Sequence, residues 1–539
     1  MKKLMALLLA AVMCLGLFVG CQPAETPDDS STPSGGDEIV NQEGPLFSST
    51  TEIQIYTHEN SAYDFEDGYL DKLLLSQENI DVKLTEGFDM QQMLTDKSLP
   101  DITWMNAIMY GNEYGPKGAF LNILDYLDQM PNLKAVLKAN PDAVEKNLAA
   151  DGKLYHVPVI LEGETTTYGF IYREDIFKKH NLEFPTTRDE FYNVLKKLKE
   201  LYPNSYPFVL RQMSGNMQGF MYLCMSFGTE LNLTGATSSV MNYNHKTKEW
   251  YYGPTSEGMK DMVTFLAKLY KEGLLHKSTI TLTPAQWVES FTKGDTADGV
   301  SFIGWDKMDR IPAQLQPAGE ELNPEFKLVH GAPIKFNDLG EAAVYKQAPS
   351  PYNFLLSSTM SAERRDAALK FIDWLYSEEG IETTNWGKEG ETFEVDANGN
   401  KKYVDSLLTE DDPQYTRGLV FNGVYGVRDF EAYAGWQSET HKNTLLESVK
   451  YATLENRPVL VFNEEEQNIY DTYWVALHDY ARGNIQKFIA GERDVAEWDA
   501  YVAEVESDAY KFNDLMKIHE DCYNRMQKER PDIDKLLGD

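Results

Sequence analysis

The sequence predicts an α/β fold with a parallel sheet in its first part. Two short strands, Glu52–His58 and Ile80–Thr85, flank a helical segment at Tyr63–Ser76, and the turn at Leu99–Pro100 leads into a third strand ending at Trp104. An order of strand, helix, strand, helix and strand is typical of a parallel α/β sheet. Ligands of such sheets bind at the carboxyl ends of the strands.

Length and composition support a large protein with more than one domain. The 539 residues are enough for roughly two to four domains. Hydrophobic residues make up 42%, and aromatic residues at 12% exceed what a core needs, which favours an aromatic-lined binding surface. A formal net charge of -35 disfavours nucleic acid or an anionic membrane surface as a partner. It favours a neutral or cationic ligand, although an acidic surface kept for solubility is the other interpretation.

The first 20 residues are predicted to be a signal peptide. Met1–Lys3 is a positive start, Leu4–Val19 is apolar and too short to span a bilayer well, and the segment ends in Gly20-Cys21. This ending resembles a bacterial lipobox, in which Cys21 is lipidated and anchors the chain without a transmembrane helix. A plain secretory signal with a chance cysteine is the alternative. Residues 21–46 are rich in Pro, Ser, Gly and acidic side chains, which predicts a disordered tether.

The other cysteines and the acidic motifs give no sign of a metal or cofactor. Cys14 would be removed with the signal peptide and Cys21 lipidated, which leaves Cys224 and Cys522, either as buried thiols or as a disulfide. The chain has no CxxC, no HExxH and no Cys/His spacing suited to zinc. Asp396, Asn398 and Asn400 superficially resemble a calcium loop, but the required glycine and terminal glutamate are misplaced, which favours a hairpin turn at Asn398-Gly399.

A second α/β unit is predicted from about residue 172. Tyr168–Arg173 is an apolar strand, and Thr187 with Glu190 forms a capping box that begins a helix running to Leu201. Farther along, Ala362–Glu379 has a helical apolar face and is expected to end at Gly380. The following Gly-bracketed loop would then present Trp386.

The motifs LPDITW, DGKLYHVP, YGFIYREDIFKKHNLEFPTTRDEF, DWLYSEEGIETTNWGKEG and FIAGERDVAEWDAYV occur in this order along the chain. Together they resemble the extracellular solute-binding lipoproteins of ABC importers, specifically the carbohydrate-binding group labelled family 1 or LplA-like. The resemblance covers about residues 1–530.

The resemblance implies a type II periplasmic-binding-protein-like fold, with two α/β lobes joined by hinge strands that close on a ligand. Crossovers between the lobes are expected near Tyr168–Tyr172 and Asn353–Ser358. The first lobe would begin with residues 47–168 and the second with 169–352, and residues 353–539 would return to both. The implied protein is a monomer on the extracellular face of the membrane that delivers a carbohydrate to ABC permease subunits, with no cofactor.

Loop tryptophans and nearby polar residues are the predicted ligand contacts, because sugars offer C–H faces to aromatic rings and hydroxyls to paired donors and acceptors. The resemblance implies that Trp305 enters the cleft. Loop context adds Trp104, Trp386 and Trp436, whereas Trp374, Trp474 and Trp498 lie on predicted helices and are assigned to packing. The predicted hydrogen-bonding residues are Glu59, Asn106, Arg211, Asp306, Arg310 and Glu389. Their alternative role is solvated surface.

Two other functions remain open from the residues alone. A secreted glycosidase needs two carboxylates across the scissile bond, but 85 acidic residues make such a pair uninformative. The chain has no GxSxG motif. The same fold could also bind a peptide or another solute, since the negative charge permits a cationic peptide.

Overall fold

A computed structural model describes residues 44–57, 68–85, 89–161, 168–211, 218–231, 240–307, 315–346, 350, 352–409, 416–420, 425–437 and 439–538. The predicted signal peptide, Cys21, Glu59 and Arg310 lie outside these ranges. So does most of the predicted tether. None of the helices in the described ranges is long and apolar enough to cross a membrane.

The strands are β1 Thr51–Thr57, β2 Ile80–Leu84, β3 Ile102–Asn106, β4 Ile160–Leu161, β5 Tyr168–Arg173, β6 Phe208–Leu210, β7 Asn242–Asn244, β8 Glu249–Tyr251, β9 Ile303–Lys307, β10 Leu328–Gly331, β11 Val344–Tyr345, β12 Tyr352–Leu356, β13 Phe393–Val395, β14 Lys401–Tyr403, β15 Val427–Arg428 and β16 Ala452–Leu454.

The α-helices are α1 Tyr69–Glu78, α2 Met90–Asp96, α3 Ala107–Tyr114, α4 Pro131–Ala139, α5 Pro141–Glu145, α6 Glu174–Lys179, α7 Arg188–Leu201, α8 Gln218–Leu223, α9 Glu257–Lys271, α10 Pro284–Thr292, α11 Gln316–Leu322, α12 Ala362–Leu375, α13 Glu378–Asn385, α14 Phe430–Gly435, α15 Glu439–Val449, α16 Glu464–Ala490, α17 Trp498–Val505, α18 Phe512–Glu529 and α19 Ile533–Leu537.

The first sheet confirms the predicted α/β start of the chain. Its order is β12-β3-β1-β2, with β1, β2 and β3 parallel and β12 antiparallel to β3. Helices α1, α4 and α12 cover it, with Leu74, Leu133 and Ile372 in the shared core. Both faces of β3 are buried, as expected for a strand inside a parallel sheet.

The second sheet has the order β10-β5-β9-β6. Strand β9 runs parallel to β6 and antiparallel to β5, and β10 is antiparallel to β5. Its main core joins Phe170, Phe191 and Met262 to the long helix α16, which contributes Leu477 and Ile485. The α/β fold with two separate sheets is therefore confirmed.

The chain passes between the two sheets more than once. Residues 162–167 link β4, whose Ile160 packs in the first core, to β5 of the second sheet. Residues 347–351 precede β12, which brings the chain back to the first sheet. A further link follows β16, which pairs in parallel with β11. Helix α16 then packs in the second core.

The segment around Gly380 differs from the prediction. The structure has two helices there, α12 and α13, because Ser377 begins a new helix by accepting a hydrogen bond from the Gly380 backbone N at 3.0 Å. Gly380 lies inside α13, where a Cβ would stand 1.9 Å from the carbonyl oxygen of Trp374. A glycine that sequence reasoning assigned to a helix end is instead required for close packing of two helices.

Two smaller predictions have clear outcomes. Cys224 and Cys522 are both buried free thiols and do not pair. The 393–404 segment is the hairpin β13–β14, and its turn uses the Asp396 carboxylate, which accepts hydrogen bonds from the backbone N of Asn398 at 2.8 Å and of Asn400 at 2.9 Å. The Asn400 side-chain amide also donates to Asp396 Oδ2 at 3.0 Å, and this bond, followed by the two backbone bonds, holds the pKa of Asp396 below its usual value.

The predicted capping box of α7 is confirmed and supplies a stability test. Thr187 Oγ1 accepts from the Glu190 backbone N at 3.3 Å, and Glu190 Oε2 accepts from the Thr187 backbone N at 3.2 Å. Thr187→Ala is expected to lower the free energy of unfolding by about 1 kcal/mol, because the Glu190 backbone N–H loses its side-chain acceptor. Thr264→Ala, at an exposed position inside α9, is the control and should cost less in urea denaturation. Equal losses from both variants would contradict the capping role.

Candidate functional site

The carboxyl edge of the first sheet carries an aromatic pair. Trp104 near the end of β3 stands opposite Thr57 at the end of β1. On the other side, Asn106 pairs with Tyr352, the first residue of β12. The rings of Trp104 and Tyr352 lie 5.3 Å apart at an interplanar angle of 31°. Trp104 is buried, whereas Tyr352 is 37% exposed, so Tyr352 is the ring of this pair that a ligand can reach.

Helix α3 holds the polar residue of this edge in place. Asn106 ends β3 and also caps α3, because its Oδ1 accepts from the Met109 backbone N at 3.3 Å. Its side-chain amide therefore has one oriented oxygen beside the aromatic pair. Sequence reasoning placed Trp104 and Asn106 at this edge, and the structure brings them together there with Tyr352.

The carboxyl edge of the second sheet carries a buried ion pair. Arg211 directly follows β6, and Asp306 lies near the end of β9. Arg211 Nε is 3.3 Å from Asp306 Oδ2, and both side chains are buried. The Arg211 guanidinium carbon is 5.9 Å from the ring centroid of buried Trp287 in α10. Sequence reasoning named Arg211 and Asp306 separately, and the structure pairs them. Such a pair supplies fixed donors and acceptors without adding net charge.

Both edges adjoin the segments that link the sheets. Leu161 and Tyr168 are seven residues apart along the chain, so their Cα atoms can be at most about 25 Å apart. Tyr168 is opposite Lys307, the residue after Asp306. The next passage arrives at Tyr352, on the first edge. The described residues that border these segments are thus Tyr352, a member of the aromatic pair, and Tyr168, which lies across from the residue after Asp306.

Trp305 was expected to enter the ligand cleft, but its side chain is buried in the structure. Trp305 is 0% exposed, and its ring meets Phe170 edge-on with the centroids 4.6 Å apart. The reason is strand alternation, because Trp305 shares a face of β9 with Ile303 and points into the main core, while Asp306 faces the opposite side. Its Nε1 has no hydrogen-bond partner in the described part of the chain.

Trp386 is likewise a packing residue and not an exposed loop ring, which corrects the expected presentation. It caps the carboxyl end of α13, is 3% exposed and packs on Tyr403 with the ring centroids 4.7 Å apart. Its Nε1 donates to Asp429 Oδ2 at 2.9 Å. The two glycines near it, Gly387 and Gly390, have positive φ and shape the turn that follows.

The remaining predicted residues are dispersed. Trp436 is half-buried beside Tyr433 at the end of α14. Glu389 lies on an exposed turn. Neither residue belongs to the two four-stranded sheets that carry the Trp104–Tyr352 pair and the Arg211–Asp306 pair.

Two residues near the links were missed by sequence reasoning. Tyr352 stands directly before the predicted strand, and only the register of β12 against β3 shows its place beside Trp104. Arg428 is 2% exposed in β15, which pairs with β4 at the start of the first link. Its guanidinium carbon is 4.2 Å from the ring centroid of Tyr433. The aromatic composition of residues 424–439 indicated a ligand site in this region, but the sequence analysis selected Trp436 from it and not Arg428.

The described side chains offer no metal site. No group of three or more His, Cys, Asp and Glu residues in the described ranges is placed to hold a metal ion.

Comparisons with known proteins agree with this architecture. The chain is 25% identical over 529 residues to the lipoprotein LipO of Bacillus subtilis (strain 168), covering 92% of this chain and 94% of the relative. It is 23% identical over 409 residues to the polygalacturonan/rhamnogalacturonan-binding protein YtcQ of the same organism, covering 72% of this chain and 74% of the relative.

A solved structure has a similar fold. The HMO-binding, ABC-transporter-associated solute-binding protein of Bifidobacterium longum infantis superposes with a TM-score of 0.68 at 17% identity, covering 90% of this chain and 100% of that one. This likeness shows the shared solute-binding-protein fold. Residues 75–388, more than half of the chain, match the family described as bacterial extracellular solute-binding protein. The protein therefore belongs to the family of bacterial extracellular solute-binding proteins.

Proposed function

We propose that this protein captures a carbohydrate, specifically an oligosaccharide, between two lobes and delivers it to the permease of an ABC importer. The first lobe would comprise residues 47–168 and the second residues 169–352, and residues 353–539 would return to both. The proposal rests on one feature at the carboxyl edge of each sheet. The first sheet has the accessible ring of Tyr352 packed on Trp104, and the second sheet has the fixed polar groups of the Arg211–Asp306 pair. The carbohydrate ligands named for YtcQ and for the Bifidobacterium protein support the same class of ligand.

The proposed role is binding and transport without catalysis. Closure of the lobes would bring a sugar face onto Tyr352 and sugar hydroxyls within reach of Asn106 and the Arg211–Asp306 pair. The chain would act as a monomer on the extracellular face of the membrane, held through lipidated Cys21. Cys21→Ala would then release the protein into the medium, as immunoblots of membrane and medium fractions would show.

A ligand panel tests the proposal directly. Residues 22–539 are titrated by calorimetry with neutral oligosaccharides, with oligogalacturonides and with a mixed peptide pool. Heat of binding from either glycan class supports the proposed function, and the class that binds identifies the chemistry. Binding from the peptide pool alone would overturn it. Turnover of any glycan, measured as new reducing ends, would overturn the role without catalysis.

Tyr352→Ala is expected to weaken glycan binding roughly tenfold, because the apolar sugar face loses its accessible ring. Tyr352→Phe keeps the ring and should retain most of the affinity. Since Tyr352 is partly exposed at a strand end, its removal should change the melting temperature little. Leu322→Ala, at a position 67% exposed on α11, is the matched control for loss of a surface apolar side chain. An unchanged Kd in Tyr352→Ala would contradict the stacking role.

A further inference from the structure

The end of the chain returns from the second core to the first. Helix α18 belongs to the second core, where Leu515 and Ile518 are buried. Helix α19 follows after three residues and contacts α4 and α5 of the first core, with Leu537 only 3% exposed. The two helices are thus neighbours in sequence but pack in different cores.

Specific contacts fix this return. Arg530 forms an ion pair with Glu145 at the end of α5. A Cβ on Gly152 would lie 2.5 Å from the carbonyl oxygen of Glu529. Gly152 also has a φ of +74°, so glycine serves both the turn and the close approach. These contacts define residues 529–538 as a C-terminal strap.

The segment between β16 and α16 also contacts the region of α5. Lys146, just after α5, lies 2.8 Å from Asp142 Oδ2 and 4.0 Å from Glu455 Oε2. Glu455 follows β16 and also pairs with Lys346, which follows β11. The α5 region therefore receives ion pairs from the strap and from the link that leads to α16.

We propose that the C-terminal strap is an interlobe restraint that limits how far the two lobes separate. The proposal rests on the two-lobed closure described above, and not on the identity of the ligand. Each of the other links follows a strand of only two or three residues, namely β4, β11 or β16. The strap differs because a buried leucine, an ion pair and a glycine contact dock it on the first lobe while α18 stays in the second.

The physical consequence concerns the open state. A restraint between two lobes reduces the range of lobe separations that the protein samples without ligand. It therefore reduces the conformational entropy that is lost when a ligand closes the lobes. Loss of the strap would widen the range of lobe separations and weaken ligand binding.

A distance measurement tests this without any ligand. Leu75→Cys on α1 and Val475→Cys on α16 place spin labels at exposed positions of the two lobes. Residues 22–539 lack Cys21, and native Cys224 and Cys522 are buried. A chain ending at Glu529 is expected to show an interlobe distance distribution about twofold broader than that of residues 22–539. An unchanged width in a folded truncated chain would overturn the proposal.

Adjacent leucines supply the matched variants if truncation prevents folding. Leu537 is buried against the first core, whereas Leu536 is 36% exposed on the same helix. Leu537→Ala should broaden the distribution and Leu536→Ala should not. Equal distributions in both variants would overturn the restraint. Because no ligand is added, this result is independent of the glycan titrations, which test the proposed function separately.

Discussion

Trp305→Ala is expected to lower the free energy of unfolding by about 3–5 kcal/mol, the usual cost of removing a large buried aromatic side chain. The ring is fully buried on β9, the central strand that pairs with β5 and β6. It meets Phe170 edge-on, and alanine would leave a cavity in the main core. Urea denaturation followed by circular dichroism measures the loss.

Matched variants separate this core role from a binding role. Trp305→Phe keeps an aromatic side chain and should recover part of the stability. Trp436→Ala removes a half-buried tryptophan and should cost clearly less. If Trp305→Ala kept full stability but lost glycan binding, the ring would belong to the ligand site. Until that measurement, a ligand contact by Trp305 stays a prediction.

Acidification is expected to destabilise the protein strongly, because burial lowers the pKa of several histidines. The pKa of His156 falls to about 3, and those of His276, His330, His478 and His519 fall to about 4. In the unfolded chain these groups take up protons near pH 6.5. The unfolded state therefore binds more protons between about pH 6.5 and 4, and stability falls as the pH falls through that range.

Three carboxyl groups, those of Glu78, Glu230 and Asp373, act in the opposite direction, because burial raises the pKa of each. Burial raises the pKa of Glu78 to about 7, with a contribution from Glu379, and the pKa of Asp373 to about 6. Their folded forms hold protons that the unfolded chain loses above about pH 4.5, so these three groups favour folding as the pH falls. One pKa unit corresponds to about 1.4 kcal/mol. The five buried histidines outweigh the three carboxyl groups, so we expect a net loss of a few kcal/mol of stability between pH 7 and 5. Urea midpoints at the two pH values measure it.

His478 offers a variant that isolates one contribution. It is buried in α16, and neither ring nitrogen has a hydrogen-bond partner within the described residues. His478→Leu should therefore reduce the pH dependence and keep or raise stability at pH 7, because an unsatisfied polar ring is replaced by an apolar side chain. His245→Gln, which removes a histidine at an exposed position, is the matched control. An identical pH profile for His478→Leu and the parent chain would contradict this assignment.

Local patterns predicted the elements better than they predicted the binding residues. The capping box at Thr187 and Glu190 is confirmed because it depends on neighbours three residues apart. The hairpin at Asp396 is confirmed for the same reason. Gly380 was misassigned because its role depends on the Trp374 carbonyl of the preceding helix, which the sequence pattern does not place against it.

The sequence alone determined the α/β class, the family resemblance and the position of Trp104 and Asn106 at a strand end, since these follow from periodicity and chain order. Only the tertiary structure decided which aromatic rings are accessible. A tryptophan flanked by polar residues can point either way. Strand alternation buried Trp305, whereas Tyr352, the first residue of β12, is partly exposed. The pairing of Arg211 with Asp306 and the docking of Leu537 on the first core also join residues far apart in the chain. Such contacts depend on how the sheets and helices pack, which local sequence does not specify.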